Sequence, residues 1–182
     1  MVASLAVPIR RLTPENVVAM VEAGILDEDD RLELVDGVLI EMSPVGNAHE
    51  VVKENLNWYF SHEASHRVRV ESMFLYPGGY VLPDLQVALA FPGGEELPHF
   101  SPPLVVEIAQ SSHARDREKA AIYAERGVPE YWIVDVIDRI VVVHREPADA
   151  GYASVTEHQT GVIVPLIDAP PLALSTLFGP KS

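Results

Sequence analysis

Hydrophobic and polar residues follow two different periods along this chain, and the period predicts the local structure. Apolar residues spaced for one helix face predict helices over residues 13–23, 49–64 and 113–126. The first opens with Thr-Pro-Glu, which combines a capping hydroxyl, an N-terminal proline and an acid facing the helix dipole. Glycines at 24 and 127 follow the first and third helices, as is typical of helix ends.

Shorter apolar runs bounded by turn residues predict strands between these helices. Residues 31–44 predict a hairpin around Asp36-Gly37, the dipeptide that favours a tight turn. A second hairpin is predicted over residues 130–146, turning near Ile137-Asp138. Further predictions are strands in 67–76, in 80–91 with a break at Pro83, and at 104–109, a strand pair in 152–167, a short helix at 174–178 and a loop over 92–103.

The order of these elements predicts an α/β fold with a mixed central β-sheet flanked by helices. The 182 residues, 48% of them hydrophobic, are enough for a substantial core. We therefore expect residues 1–182 to form a single domain.

Composition and charge narrow the class of protein. The chain has no cysteine, and no apolar run approaches the roughly 20 residues of a membrane span. The arginines near the N-terminus follow the short apolar stretch, the wrong order for a signal peptide, so we expect a cytoplasmic protein without membrane association. The net charge of −14 argues against non-specific coating of nucleic acid, but it leaves room for a local basic cleft.

One glutamate lies inside an apolar strand, where a charged group needs a partner. The sequence Leu-Val-Val-Glu-Ile-Ala places Glu107 in the middle of a run that reads as buried. An isolated buried charge is costly, so such a group is neutralised, paired or bound to a metal. Glu107 therefore predicts either a buried ion pair, with Arg115 or Lys119 as partner, or a metal site.

Two further residues fit the metal site. Asp84 lies in a neighbouring strand pattern after Pro83, and two carboxylates on adjacent strands can share one hard divalent cation. Lys119 lies one to two turns into the helix that follows the Glu107 strand, where its amine can hold a phosphate or a nucleophilic water. Two acids, a lysine and a divalent metal are the parts of metal-assisted phosphodiester hydrolysis.

The segment from "LPDLQVAL" to "PPLVVEIAQSSHARDREKAAIYAERGVPEYWIVD", residues 82–135, resembles the Uma-two family of restriction endonuclease-like proteins in the PD-(D/E)XK nuclease superfamily. "RLELVDGVLIEMSPVGNAHE", residues 31–50, matches the N-terminal pattern of the same family. The similarity is strongest over residues 13–145, and "GVPEYWIVD" is its most distinctive part.

The resemblance implies a metal-dependent endonuclease that uses Mg²⁺ or Mn²⁺ to hydrolyse DNA. It assigns Asp84 and Glu107 as metal ligands and catalytic acids. The superfamily's usual lysine position is Ala109 here, and Lys119 on the following helix takes that role. Glu33 and His49 match two further family positions and are possible accessory residues of the site.

DNA contacts are expected from the basic stretch "HARDREK", which contains Arg115 and Arg117. Because two copies related by a two-fold axis most simply cut both strands of a duplex, we also expect a homodimer.

Other interpretations of the same residues stay open. Asp84 after a proline is also typical of a turn, Glu33 of a solvent-facing strand position, and His49 of a helix cap or a surface residue. One functional alternative is a nuclease-fold binding or regulatory module with weak or no catalysis and a protein partner, which suits the acidic surface. Another is a hydrolase with a carboxylate pair that acts on a different substrate.

Overall fold

The computed structural model describes residues 9–27, 29–62, 66–89, 102–110, 113–149 and 151–179. None of the helices in these ranges combines the length and the hydropathy that a bilayer-spanning segment needs. The elements in chain order are α1 (Pro14–Glu22), β1 (Leu32–Val35), β2 (Val38–Glu41), α2 (Asn47–His62), β3 (His66–Val70), β4 (Phe74–Tyr76), β5 (Gly79–Val81), β6 (Leu85–Leu89), β7 (Leu104–Ala109), α3 (His113–Glu125), β8 (Glu130–Asp135), β9 (Ile140–Ala148), β10 (Gly151–His158), β11 (Val162–Ile163), β12 (Leu172–Ala173) and α4 (Leu174–Phe178).

The chain packs as two compact units. The first comprises the segments Met1–Ser43 and Met73–Leu82, and the second comprises Pro44–Ser72 and Pro83–Ser182. Each unit has its own main sheet. The first holds a four-stranded antiparallel sheet in the order β2-β1-β5-β4, and the second holds a six-stranded sheet in the order β10-β9-β8-β7-β6-β3.

Local sequence signals explain the first unit. Thr13 and Asn16 form a reciprocal capping box at the start of α1, which satisfies backbone donors that the helix leaves open. Asp36 and Gly37 both have positive φ, 48° and 75°, as the tight β1–β2 turn requires. A Cβ on Gly37 would lie 2.3 Å from Cβ of Arg11, so this turn also needs glycine for space.

The second unit is a mixed sheet covered on both faces. β7 and β8 run parallel, and the other neighbouring pairs are antiparallel. Parallel neighbours need a crossover connection, which α3 provides. Alternate β7 residues, Leu104, Val106 and Ile108, join α2 in the main core. The intervening residues point to the other face, where α3 packs, and this explains why β7 reads as continuously buried.

The structure confirms the mixed α/β architecture and most of the predicted elements. β7 has the predicted bounds, both hairpins turn where expected, and Pro83 separates β5 from β6. The second helix begins at Asn47, two residues earlier than predicted. The loop predicted over 92–103 falls mostly on residues 90–101, outside the described residues.

The strand pair predicted within 152–167 is wrong in its pairing. β10 pairs with β9, and β11 pairs with β12 near the end of the chain. The physical reason is that an apolar run carries little information on its partner, because pairing is decided by contacts distant in sequence.

Candidate active site

The pairing of β6 with β7 brings Asp84 beside the part of β7 that contains Glu107. Leu85 pairs with Val106 and Gln86 with Val105 in this antiparallel ladder. Asp84 lies in the bend one residue before β6, and its side chain reaches the β7 backbone at Ile108, the residue after Glu107. Both residues are buried, with exposed fractions of 6% and 4%. The two predicted acids are therefore near neighbours, and the charge of Asp84 acts on Glu107.

The Asp84 carboxylate is held on both oxygens. Its Oδ2 accepts a hydrogen bond of 2.7 Å from the backbone N–H of Ile108, the residue after Glu107. Its Oδ1 lies 3.1 Å from Nε2 of His49, which is buried in the first turn of α2. Burial of His49 rules out the surface alternative for this residue. The contacts fix the orientation of Asp84, which lies in a bend directly after Pro83, as its turn alternative predicted.

Two donors from α3 contact one oxygen of Glu107. Nζ of Lys119 lies 2.9 Å from Oε1, and the hydroxyl of Tyr123 donates to the same oxygen at 2.7 Å. Lys119 and Tyr123 are four residues apart, so they occupy one helix face. The helix after the Glu107 strand thus brings Lys119 to the acid. This contact is also the buried ion pair of the structural alternative.

The electrostatics of this cluster favour the neutral form of Glu107. Burial raises the pKa of Glu107 to about 8, against the opposing effect of the Lys119 amine. The charges of Asp84 and Asp116 raise this pKa further, whereas the Tyr123 hydrogen bond lowers it. One lysine therefore does not offset the combined cost of burial and two neighbouring acids.

Tyr131 anchors the start of α3 on the sheet. Its hydroxyl donates a 2.8 Å hydrogen bond to the backbone carbonyl of Asp116, and its ring packs 4.9 Å from the ring of Tyr123. Burial raises the pKa of Tyr131 well above its ordinary value, so the hydroxyl stays protonated and remains a donor. The contact fixes the helix that presents Lys119.

Three further residues were predicted for the site or for DNA contact: Glu33, Arg115 and Arg117. Glu33 is fully buried in the first unit, where it accepts a 3.0 Å hydrogen bond from the backbone N–H of Leu82. The solvent-facing alternative for Glu33 is therefore wrong. Arg115 and Arg117 lie on α3, the first half-buried and the second exposed. Participation of Glu33 in the site and contact of the arginines with DNA remain predictions.

Sequence reasoning missed Tyr123 and Asp116 as neighbours of Glu107. Asp116 is three residues and Tyr123 four residues from Lys119, so both lie near its helix face. That spacing was a usable signal. The Tyr131 hydroxyl could not be assigned a partner in this way, because its acceptor belongs to another element.

The carboxylate oxygens at this site suit a hard cation that the protein coordinates only in part. Within the described ranges, no group of three or more His, Cys, Asp or Glu side chains has an arrangement that would hold a metal ion. Glu107 and the neighbouring Asp84 offer carboxylate oxygens, and Mg²⁺ typically takes one or two carboxylates and keeps several waters. A nearby cation would lower the raised pKa of Glu107. The residues present therefore fit a divalent ion.

The mixed sheet with flanking helices is a nuclease-like α/β fold, similar to the crystal structure of a "putative nuclease belonging to DUF820" from Anabaena variabilis. The TM-score is 0.73 at 15% identity, covering 94% of this chain and 98% of that chain. Residues 19–176 match the family described as "Uma2: Putative restriction endonuclease", and the chain belongs to that family. None of the curated proteins matches it.

Proposed function

We propose that this protein is a divalent-metal-dependent endonuclease that hydrolyses phosphodiester bonds in DNA. The observation that carries the proposal is that Asp84 and Lys119 both contact β7 at Glu107 or at the residue after it. Membership of a family described as restriction endonucleases supports the same substrate class. Two acids and a lysine are the side chains that metal-assisted phosphodiester hydrolysis needs.

Asp84 and Glu107 would hold the ion, either Mg²⁺ or Mn²⁺. When bound, such an ion polarises a phosphoryl oxygen and lowers the pKa of a coordinated water. His49 and the backbone N–H of Ile108 orient Asp84 from two sides, so its carboxylate does not need to reorganise.

Lys119 supplies positive charge for the scissile phosphate. An ammonium group has three donor hydrogens, and the contact with Glu107 uses one of them. In the proposal, the amine donates to a phosphate oxygen or to the attacking water once the substrate is bound. Because the group is almost completely buried, its interaction with developing negative charge is less screened than at the surface.

Substrate binding is expected to be weak and confined to the cleft. The net charge of −14 repels DNA elsewhere on the surface. Arg115 and Arg117 on α3 are the proposed phosphate contacts. Cleavage of both strands would require two copies, and we include a homodimer in the proposal.

A second candidate function is a nuclease-fold binding or regulatory module that works with a protein partner. Two observations favour it: the acidic composition, and the direct Lys119–Glu107 ion pair, which is also what a structural brace would show. In this candidate, Asp84 and Glu107 do not bind a metal and the protein does not cleave DNA.

The test is a cleavage assay on the purified full chain. Supercoiled plasmid and single-stranded DNA are incubated with Mg²⁺, with Mn²⁺ and with EDTA, and Asp84→Asn serves as the matched inactive variant. Metal-dependent cleavage by the parent that is absent in Asp84→Asn supports the endonuclease. Equal nicking by both proteins would indicate a contaminating nuclease, and no cleavage together with no Mn²⁺ binding would support the binding module.

A further inference from the structure

We propose that Tyr123 is a positioning residue that holds the Glu107 carboxylate in place while Lys119 engages the substrate. The inference rests on the proposed function, because it assumes that Glu107 is a metal ligand. It gives the buried hydroxyl of Tyr123 a role, which the roles proposed for Asp84, Glu107 and Lys119 do not include.

Two hydrogen-bond donors whose side chains differ in flexibility contact the same oxygen of Glu107. Lys119 and Tyr123 contact Oε1 at 2.9 and 2.7 Å from successive turns of α3. The lysine amine ends a flexible four-carbon stem, whereas tyrosine has a rigid ring. The Tyr123 ring is fully buried and packs against the ring of Tyr131. Of the two donors, the hydroxyl therefore has the more rigid support, and the amine has the more flexible one.

This difference matters when substrate binds. If the amine turns toward a phosphate, Glu107 loses part of its contact with Lys119. A carboxylate freed on one side can rotate away from the ion, and the hydroxyl of Tyr123 prevents this. Partners that orient a metal ligand typically contribute about 10–100-fold to metal affinity.

Calorimetric titration of Mn²⁺ tests the inference on the full chain. Tyr123→Phe removes one oxygen atom and keeps the packed ring, so the variant should fold. Tyr152→Phe is the matched control, because the hydroxyl of Tyr152 donates at 2.9 Å to the backbone carbonyl of Val128 and not to Glu107. We expect the Kd for Mn²⁺ to rise about tenfold or more in Tyr123→Phe and less than about twofold in Tyr152→Phe.

The same titration in a Lys119→Met background separates positioning from packing. Without the amine, Tyr123 is the remaining donor of the pair, so Tyr123→Phe should raise the Kd by a larger factor there than in the parent. An unchanged Kd in Tyr123→Phe, or the same factor in both backgrounds, would overturn the inference while leaving the metal site intact. A parent protein that binds no Mn²⁺ would instead refute the proposed function on which the inference depends.

Discussion

The ammonium group of Lys119 lies 2.9 Å from Oε1 of Glu107, and both side chains are almost entirely buried. A lysine in this position can serve chemistry, by donating to a phosphate, or the fold, by neutralising an acid. The two roles place opposite demands on the negative charge of Glu107. A metal ligand must release part of its negative charge to the ion, whereas a brace needs that charge for the lysine.

Lys119→Met should abolish DNA cleavage and leave Mn²⁺ binding largely intact. The amine is proposed to contact phosphate or water rather than the ion, and Tyr123 still donates to Oε1 of Glu107 after the amine is removed. Loss of one electrostatic donor at a reacting group typically lowers the rate by about 10²–10³-fold. Plasmid cleavage and calorimetry on the same preparation measure the two effects.

Lys53→Met is the matched control for that prediction. Lys53 is a partly buried lysine that forms ion pairs with Glu50 at 2.8 Å and Glu71 at 2.7 Å. These partners are not the proposed metal ligands. We expect this variant to keep cleaving. If Lys119→Met cleaves as fast as the parent, Lys119 has no part in the reaction.

Asp84→Asn should weaken Mn²⁺ binding by more than about tenfold while preserving the fold. The amide oxygen can still accept the hydrogen bond from the backbone N–H of Ile108, but the group no longer carries a charge. Calorimetry gives the Kd, and circular dichroism checks the fold. Unchanged Mn²⁺ affinity would remove Asp84 from the ligand set.

The site could be predicted from the sequence to the extent that it depends on local spacing. Glu107 was recognisable because a charge inside the apolar run 104–109 needs a partner, and Lys119 because the next helix has a regular pitch. Asp84 followed from the family pattern, and its side chain contacts the β7 backbone next to Glu107.

The remaining features depend on contacts between segments distant in sequence. The division of the strands into two main sheets and the partner of β10 are examples, since a strand pattern does not specify its neighbour. The burial of Glu33 is another, because an acid at an alternating strand position is usually solvated.

Charge reversal on α3 tests where DNA binds. Arg115 is four residues before Lys119 and shares its helix face, whereas Arg117 is two residues before it and does not. We expect Arg115→Glu to weaken DNA binding more than Arg117→Glu, and loss of one phosphate contact to reduce the salt slope by about 1. Fluorescence anisotropy at several salt concentrations, with Ca²⁺ in place of Mg²⁺, measures both quantities.

Arg126→Glu controls for net charge in that series. Arg126 is exposed just beyond the end of α3, so its reversal changes the total charge equally. If all three variants bind DNA alike, the effect is one of overall charge, and the binding face lies elsewhere.

The stability of the metal-free protein should fall as pH rises from about 4.5 to about 8. The ordinary pKa of a glutamic acid is 4.5, and burial raises that of Glu107 to about 8. Between these values the unfolded chain has released the proton and the folded chain retains it, so each increase in pH favours unfolding. Above about pH 8, both states are ionised and the penalty stays constant. Glu107→Gln should lack this dependence, because glutamine resembles the protonated acid at every pH.

Thermal melts in EDTA at pH 5.5 and pH 8.5 would show the difference. Relative to the parent, Glu107→Gln should gain stability between the two pH values, and each kcal/mol shifts Tm by about 2–4 °C in a protein of this size. Added Mn²⁺ should then raise the Tm of the parent and leave that of the variant nearly unchanged. The brace interpretation predicts the reverse. If ionised Glu107 mainly neutralises Lys119, its replacement strands a buried charge and costs roughly 3–5 kcal/mol, with no metal response in either protein. That result would make the glutamate of β7 a structural partner of Lys119 and not a metal ligand.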